Sequence, residues 1–135
     1  MDTLKLPRTV VNEILTQAQH SPEAEICGLI ASKRGQASRC YPVSNSAPHP
    51  ARRYQMEPKA QIEAMRQMRE NGEELIAIYH SHPHTPATPS TIDIEEASYP
   101  DAVYLIISLD TEGVLQLSAF HIANGKATAL ALELL

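Results

Sequence analysis

The chain has 135 residues, 43% hydrophobic and 20% charged, enough to bury one core and balanced like an ordinary globular protein. Its 11 Lys and Arg against 16 Asp and Glu leave a formal charge of -5. The adjacent basic pairs Lys33-Arg34 and Arg52-Arg53 fall in apparent loops, so no nucleic-acid partner is expected, since phosphate binding wants clustered cations. No window reaches the ~18 uninterrupted apolar residues of a membrane span, and the first residues lack a secretory signal, so a cytoplasmic protein without a membrane partner is expected.

Pro7 opens a predicted helix over 8–20, where Val10, Val11, Ile14, Leu15 and Ala18 recur at helical spacing, and Ser21-Pro22 stops it. Residues 25–32 (EICGLIAS) are a short apolar run, read as a strand. The turn Lys33-Arg34-Gly35-Gln36 makes it a hairpin with 37–43. Residues 44–53 (SNSAPHPARR) are loop by composition. Pro58 starts a second helix over roughly 59–71, with Ile62, Met65, Met68 and Arg69 spaced along it and Asn71-Gly72 at its end.

Residues 75–79 (LIAIY) are apolar on both faces, the pattern of a buried central strand. A Pro-rich loop over 80–89 follows, then a short helix from near Ser90 and a strand over 103–109. Residues 110–113 turn the chain into a strand over 114–122, and Asn124-Gly125 turns it into another over 127–134. The order is helix, two strands, helix, strand, short helix, three strands. That predicts one mixed α/β (α+β) domain over residues 1–135, a single sheet with helices packed on it and no repeat or linker.

The chemistry lies in the segment His80-Ser81-His82-Pro83-His84-Thr85-Pro86-Ala87-Thr88-Pro89-Ser90-Thr91-Ile92-Asp93. His80 and His82 stand at i and i+2 where a buried strand ends, so in extended chain both imidazoles point the same way and can converge on one ion. A hydrolytic zinc typically takes three protein ligands and keeps a position open for water, and Asp93 can supply the third. Pro83, Pro86 and Pro89 restrict the loop between them. Peptide hydrolysis also needs a proton acceptor, and Glu25 is the candidate, because it opens an apolar run where a solvated charge would be out of place.

Each residue also has a plainer reading. Ser90-x-x-Asp93 is a helix-capping signature, His-x-His can be an exposed loop pair, and Glu25 can be a strand-edge charge. His20, His49, His84 and His121 lack the spacing and read as surface or loop residues, with His84 near enough to contact substrate. Cys27 and Cys40 are too few for a disulfide scaffold and suit a reducing compartment. They fall in neighbouring predicted strands, so a bond between them is left open. Cys27 is read as a small buried thiol, with a fourth metal ligand as the rival.

Taken together, Glu25 in Glu-Ile-Cys-Gly-Leu-Ile, then His80-Ser81-His82-Pro83, a six-residue gap and Ser90-Thr91-Ile92-Asp93 resemble the JAMM, or MPN+ (Mov34/PAD-1-like), zinc metallopeptidases of the small stand-alone prokaryotic type. The resemblance covers nearly the whole chain. It implies a curved mixed sheet flanked by helices, cytidine-deaminase-like, with one Zn2+ per chain on His80, His82 and Asp93. It further implies Glu25 as general acid/base and Ser90 as a hydrogen-bonding stabiliser of the tetrahedral oxyanion. The substrate so implied is the C-terminal tail of a ubiquitin-like or sulfur-carrier protein, cut after Gly-Gly to release cysteine or another adduct. A non-catalytic interaction module of the same fold would have lost ligands that this chain retains. A RadC-like domain would read His-Asn-His-Pro-Ser-Gly where this chain has His-Ser-His-Pro-His-Thr. The carrier, the leaving group, the pathway and the oligomeric state are not written in the sequence.

Overall fold

A computed structural model describes residues 2–111 and 113–135. In chain order its elements are β1 (Thr3–Leu6), α1 (Arg8–Gln19), β2 (Cys27–Lys33), β3 (Gln36–Val43), α2 (Pro58–Glu70) and β4 (Glu74–His82). α3 (Thr91–Glu96), β5 (Val103–Ser108), β6 (Gln116–Ala123) and β7 (Lys126–Leu134) follow. The strands form one seven-stranded sheet in the order β1-β7-β6-β5-β4-β2-β3. β1 pairs with β7, and β4 with β5, in parallel; the other pairs are antiparallel. The sheet curls far enough to bring its edge strands β1 and β3 near each other. Among the described residues no helix is long and apolar enough to cross a membrane.

Both faces of the central strands are covered, which is why β2, residues 75–79 of β4 and β5 read as continuous apolar runs. One face packs Ile30, Tyr79, Leu105 and Ile107 against Leu4, Leu6 and the α1 stripe Val10, Val11, Ile14 and Ala18. The other packs Cys27, Leu29, Ile78 and Tyr104 against Ala64 and Met68 of α2. Ile62, expected on the α2 stripe, is instead 67% exposed, because Ala64 and Met68 define the buried side of that helix.

Three expectations are revised. β1 is an added strand: TLKL is too short to carry a pattern, and its partner is Ala131–Leu134, at the far end of the chain. The loop expected to begin at His80 begins after His82. The parallel ladder with β5 continues through His80↔Ile106 to His82↔Ser108, and Leu109 N–H donates to the His82 carbonyl at 3.0 Å. At the other end, β2 starts at Cys27, which leaves Glu25 just outside the strand.

Cys27 and Cys40 are both free. Cys27 lies opposite Val43 and Cys40 opposite Ile30, so side-chain alternation sends the two thiols to opposite faces of the sheet. Away from these residues, the buried Glu73 carboxylate accepts hydrogen bonds from Ser38 Oγ (2.6 Å), Arg39 Nε (3.2 Å) and the Tyr41 hydroxyl. Those partners hold its pKa below the usual carboxylate range against the opposing effect of burial.

Candidate metal centre

β4 carries His80 and His82 to its end on the face that Ile78 shares, between β2 and β5. Both imidazoles are buried, at 0% and 3% exposure. Ser81 points the other way and ties down the entry to β2. Its Oγ accepts from Ile26 N–H at 2.9 Å, and its own N–H donates to the Ile26 carbonyl at 3.0 Å. This clamp places Glu25 beside the histidines.

Glu25 is held by its backbone rather than by a strand. Its N–H donates to Pro50 O at 2.7 Å, and its carbonyl accepts from Asn45 Nδ2 at 3.0 Å. Asn45 also donates to Arg53 O, while its Oδ1 accepts from Ala47 N–H and Gln55 N–H, each at 3.0 Å. The segment that composition marked as loop is therefore an ordered scaffold with one asparagine at its hub. Asn in such a stretch signals local side-chain-to-backbone bonding, but which strand it anchors is decided by the fold.

α3 begins with a full capping box: Asp93 N–H donates to Ser90 Oγ (3.0 Å) and Ser90 N–H to Asp93 Oδ2 (2.9 Å). The same Oδ2 lies 3.1 Å from His80 Nε2 and 3.0 Å from His82 Nε2, and the two ring nitrogens are 3.2 Å apart. One carboxylate thus both caps α3 and faces the two imidazoles.

That near-equilateral triangle also has the spacing of ligands around one ion. His82 Nδ1 sits 2.8 Å from the Pro86 carbonyl, which can only accept, so Nδ1 carries the proton. A protonated His82 donates Nε2–H to Asp93, whereas a neutral one turns its Nε2 lone pair toward the same point as Asp93 Oδ2, ready to hold a cation. Ligand distances of about 2.0–2.1 Å in a tetrahedron give edges of about 3.3–3.4 Å. The donor set and its spacing fit a divalent ion of that kind.

His80 lacks the usual outer partner, since its buried Nδ1 makes no hydrogen bond. Tyr54 stacks on it instead, with centroids 4.4 Å apart and planes inclined by 26°. The Glu25 Oε1 is likewise buried and unpartnered, and Glu25, His80 and His82 offer ligand atoms within 4.8 Å of one another.

Burial, aided by Asp93 and opposed by His82, pushes the Glu25 carboxyl up to about 7. Burial also lowers the His80 pKa, outweighing its contact with Asp93. Burial opposes the charge on His82, but Asp93 and the Pro86 carbonyl carry its pKa above the ordinary value. Asp93 is desolvated too, yet the two histidines hold it far below the usual carboxylate range.

Cys27, though it pairs across from His80, donates its thiol to Val43 O at 3.2 Å, and burial pushes its pKa up to about 12. It stands as a buried thiol. His20 and His49 are exposed, His121 is half-buried on β6, and His84 is exposed facing Glu23 at 3.6 Å. The cluster opens on two sides. A cleft of ≈ 290 Å³ is lined by Tyr54, Ile92, Asp93, Glu96, Tyr99 and Tyr104. A cavity of ≈ 580 Å³ is lined by Glu25, Arg52, His82, His84, Thr85 and Ser90.

The family pattern described as prokaryotic homologs of the JAB domain matches residues 7–120, which spans every residue of this cluster. The chain belongs to that JAB family. Among its relatives, the desampylase of Haloferax volcanii is 34% identical over 113 residues, covering 79% of this chain and 81% of the relative. The probable TtuB-protein conjugate cleaving protease of Thermus thermophilus is 35% identical over 127 residues (94% and 81%). The CysO-cysteine peptidase of Mycobacterium tuberculosis is 31% identical over 121 residues (88% and 82%). The solution structure of protein DSY2949 from Desulfitobacterium hafniense superposes with a TM-score of 0.87 at 32% identity, over 98% of this chain and 92% of that one. The JAB fold and a buried Glu-His-His group suited to a metal are therefore common ground between sequence and structure.

Proposed function

We propose that this JAB-family chain is a single-domain zinc peptidase of the cytoplasm. It hydrolyses the bond that follows the C-terminal Gly-Gly of a ubiquitin-like or sulfur-carrier protein. The observation that carries the proposal is the convergence of His80, His82 and Asp93 at 3.0–3.2 Å beside the buried, unpartnered carboxylate of Glu25. The names of three relatives, a desampylase, a conjugate-cleaving protease and a carrier–cysteine peptidase, describe bond cleavage on such carriers.

In this reading His80, His82 and Asp93 hold the ion through Nε2, Nε2 and a carboxylate oxygen. When bound, zinc supplies Lewis acidity that polarises the scissile carbonyl and acidifies water. Glu25 takes the proton of the attacking water as the new C–O bond forms. It then delivers that proton to the departing nitrogen as the C–N bond breaks. In the metal-free chain burial raises this carboxyl to about 7, and a bound cation would lower it again toward the ionised form that accepts the proton. Ser90 Oγ accepts from Asp93 N–H, which leaves its own hydroxyl hydrogen free to donate to the oxygen that gains charge in the tetrahedral state. His82 and Tyr54-stacked His80 serve as fixed ligands on a buried strand, so little reorganisation accompanies the reaction. Free thiols at Cys27 and Cys40 agree with a reducing compartment.

The test pairs elemental analysis with mass spectrometry of carrier adducts bearing a Gly-Gly or an Ala-Ala tail. One zinc per chain and metal-dependent release of the adduct from the Gly-Gly carrier alone are expected. Release that survives exhaustive chelation, or no release from any carrier, would overturn the assignment.

A further inference from the structure

Resting on that peptidase reading, we infer that the cavity beside Glu25 receives the leaving group, and that Arg52 there reads a carboxylate. The preferred leaving group is then a free α-amino acid rather than a lysine side chain. The cavity is lined by Glu25, His82 and Ser90 of the reacting centre together with Arg52, His84 and Thr85. Its basic side chains are not equivalent. Neighbouring Arg53 is held by Glu96, which lines the opposite cleft, and His84 faces Glu23. Among the described residues, Arg52 takes part in no ion pair, so its guanidinium is the charge left for a ligand.

The Arg52 side chain is exposed, but the backbone that carries it is fixed. Its turn is closed by Arg52 N–H to His49 O at 3.1 Å. That turn is tied to the base on both sides, through Glu25 N–H to Pro50 O at 2.7 Å and through Asn45, which bridges the Glu25 and Arg53 carbonyls.

The chemistry of the two candidate leaving groups differs where Arg52 sits. When the scissile nitrogen is the α-nitrogen of a free amino acid, a carboxylate hangs one carbon away from it. When the nitrogen ends a lysine side chain, a run of methylenes follows and no charge lies near. A carboxylate brought up beside Glu25 would be repelled whenever Glu25 is ionised. A guanidinium offsets that repulsion and can pair bidentately with the carboxylate.

The experiment compares kcat/KM on one Gly-Gly carrier joined to an amino acid, to the same amino acid as its carboxamide, and to the side chain of a blocked lysine. Wild-type protein is expected to favour the free carboxylate over the carboxamide by about 10- to 100-fold, the range for losing a charge-assisted hydrogen-bonded pair. Arg52→Ala brings that ratio close to one, and Arg52→Lys restores part of it. Equal wild-type rates on carboxylate and carboxamide would overturn the inference, as would a ratio that Arg52→Ala leaves unchanged or a preference for the lysine conjugate. Failure to cleave all three substrates would instead refute the peptidase reading on which it rests.

Discussion

Replacing Glu25 by Gln removes a buried charge without touching the backbone bonds to Pro50 and Asn45 that hold the residue. In the metal-free protein the carboxyl is raised from 4.5 to about 7, chiefly by burial. Between those limits the folded chain keeps a proton that the unfolded chain has released, so the folded state binds more protons and stability falls as pH rises through the window. The loss is complete above about 7. At about 1.4 kcal/mol per pH unit the full effect is roughly 3 kcal/mol, and partial access to water reduces it to roughly 2 kcal/mol. Glu25→Gln should therefore be more stable than wild type by about that amount at pH 8, with the gap closing toward pH 4.5. Urea unfolding of chelator-treated protein at several pH values measures it, since subtracting the two curves cancels the titration of groups that do not interact with Glu25. A gap independent of pH, or a variant less stable at pH 8, would refute the assignment of a desolvated, unpartnered carboxylate. The same substitution should leave zinc bound while lowering turnover by about 100-fold or more, the usual worth of a general acid–base group.

Two further outcomes follow from packing. Tyr54→Phe keeps the ring that stacks on His80 and should retain zinc affinity, whereas Tyr54→Ala should weaken it by about 10-fold or more, read by chelator competition; equal affinities would show that stacking does not hold the ligand. A Cβ at Gly28 would meet the Tyr79 hydroxyl at 2.4 Å, Tyr79 Cζ at 2.5 Å and the Tyr41 carbonyl at 2.7 Å. Since Tyr79 is buried and donates to Gln17 at 2.6 Å, it has nowhere to move. Gly28→Ala should then cost about 1–3 kcal/mol and lower the thermal midpoint by several degrees; an unchanged melting curve would mean that the β2–β4 pair yields more easily than its packing indicates.

Most elements could be read from the chain because their cause is local. The α1 stripe, the Gly35 turn and the runs of β4 and β5 each announce themselves within a few residues. β1 could not, because the strand it pairs with lies at the opposite end of the chain. The reach of β4 through His82 is set by β5, and the separation of Cys27 from Cys40 by register. In both cases a neighbouring strand supplies what the segment itself does not state.

The site divides the same way. His80 and His82 at alternating positions, and the Ser90–Asp93 cap, are written in the sequence as donor types at a fixed spacing, and with Glu25 they were enough to suggest the JAB family. Other facts exist only after folding. Asp93 Oδ2 reaches both imidazoles, Ser81 clamps the entry to β2, Asn45 joins Glu25 to the Arg52 turn, and Tyr54 replaces a hydrogen bond on His80. Sequence determines which chemical groups a segment offers and which way a regular element points them. Distance between segments, and the burial that raises the Glu25 carboxyl, depend on contacts between residues far apart in the chain, which only the tertiary structure decides.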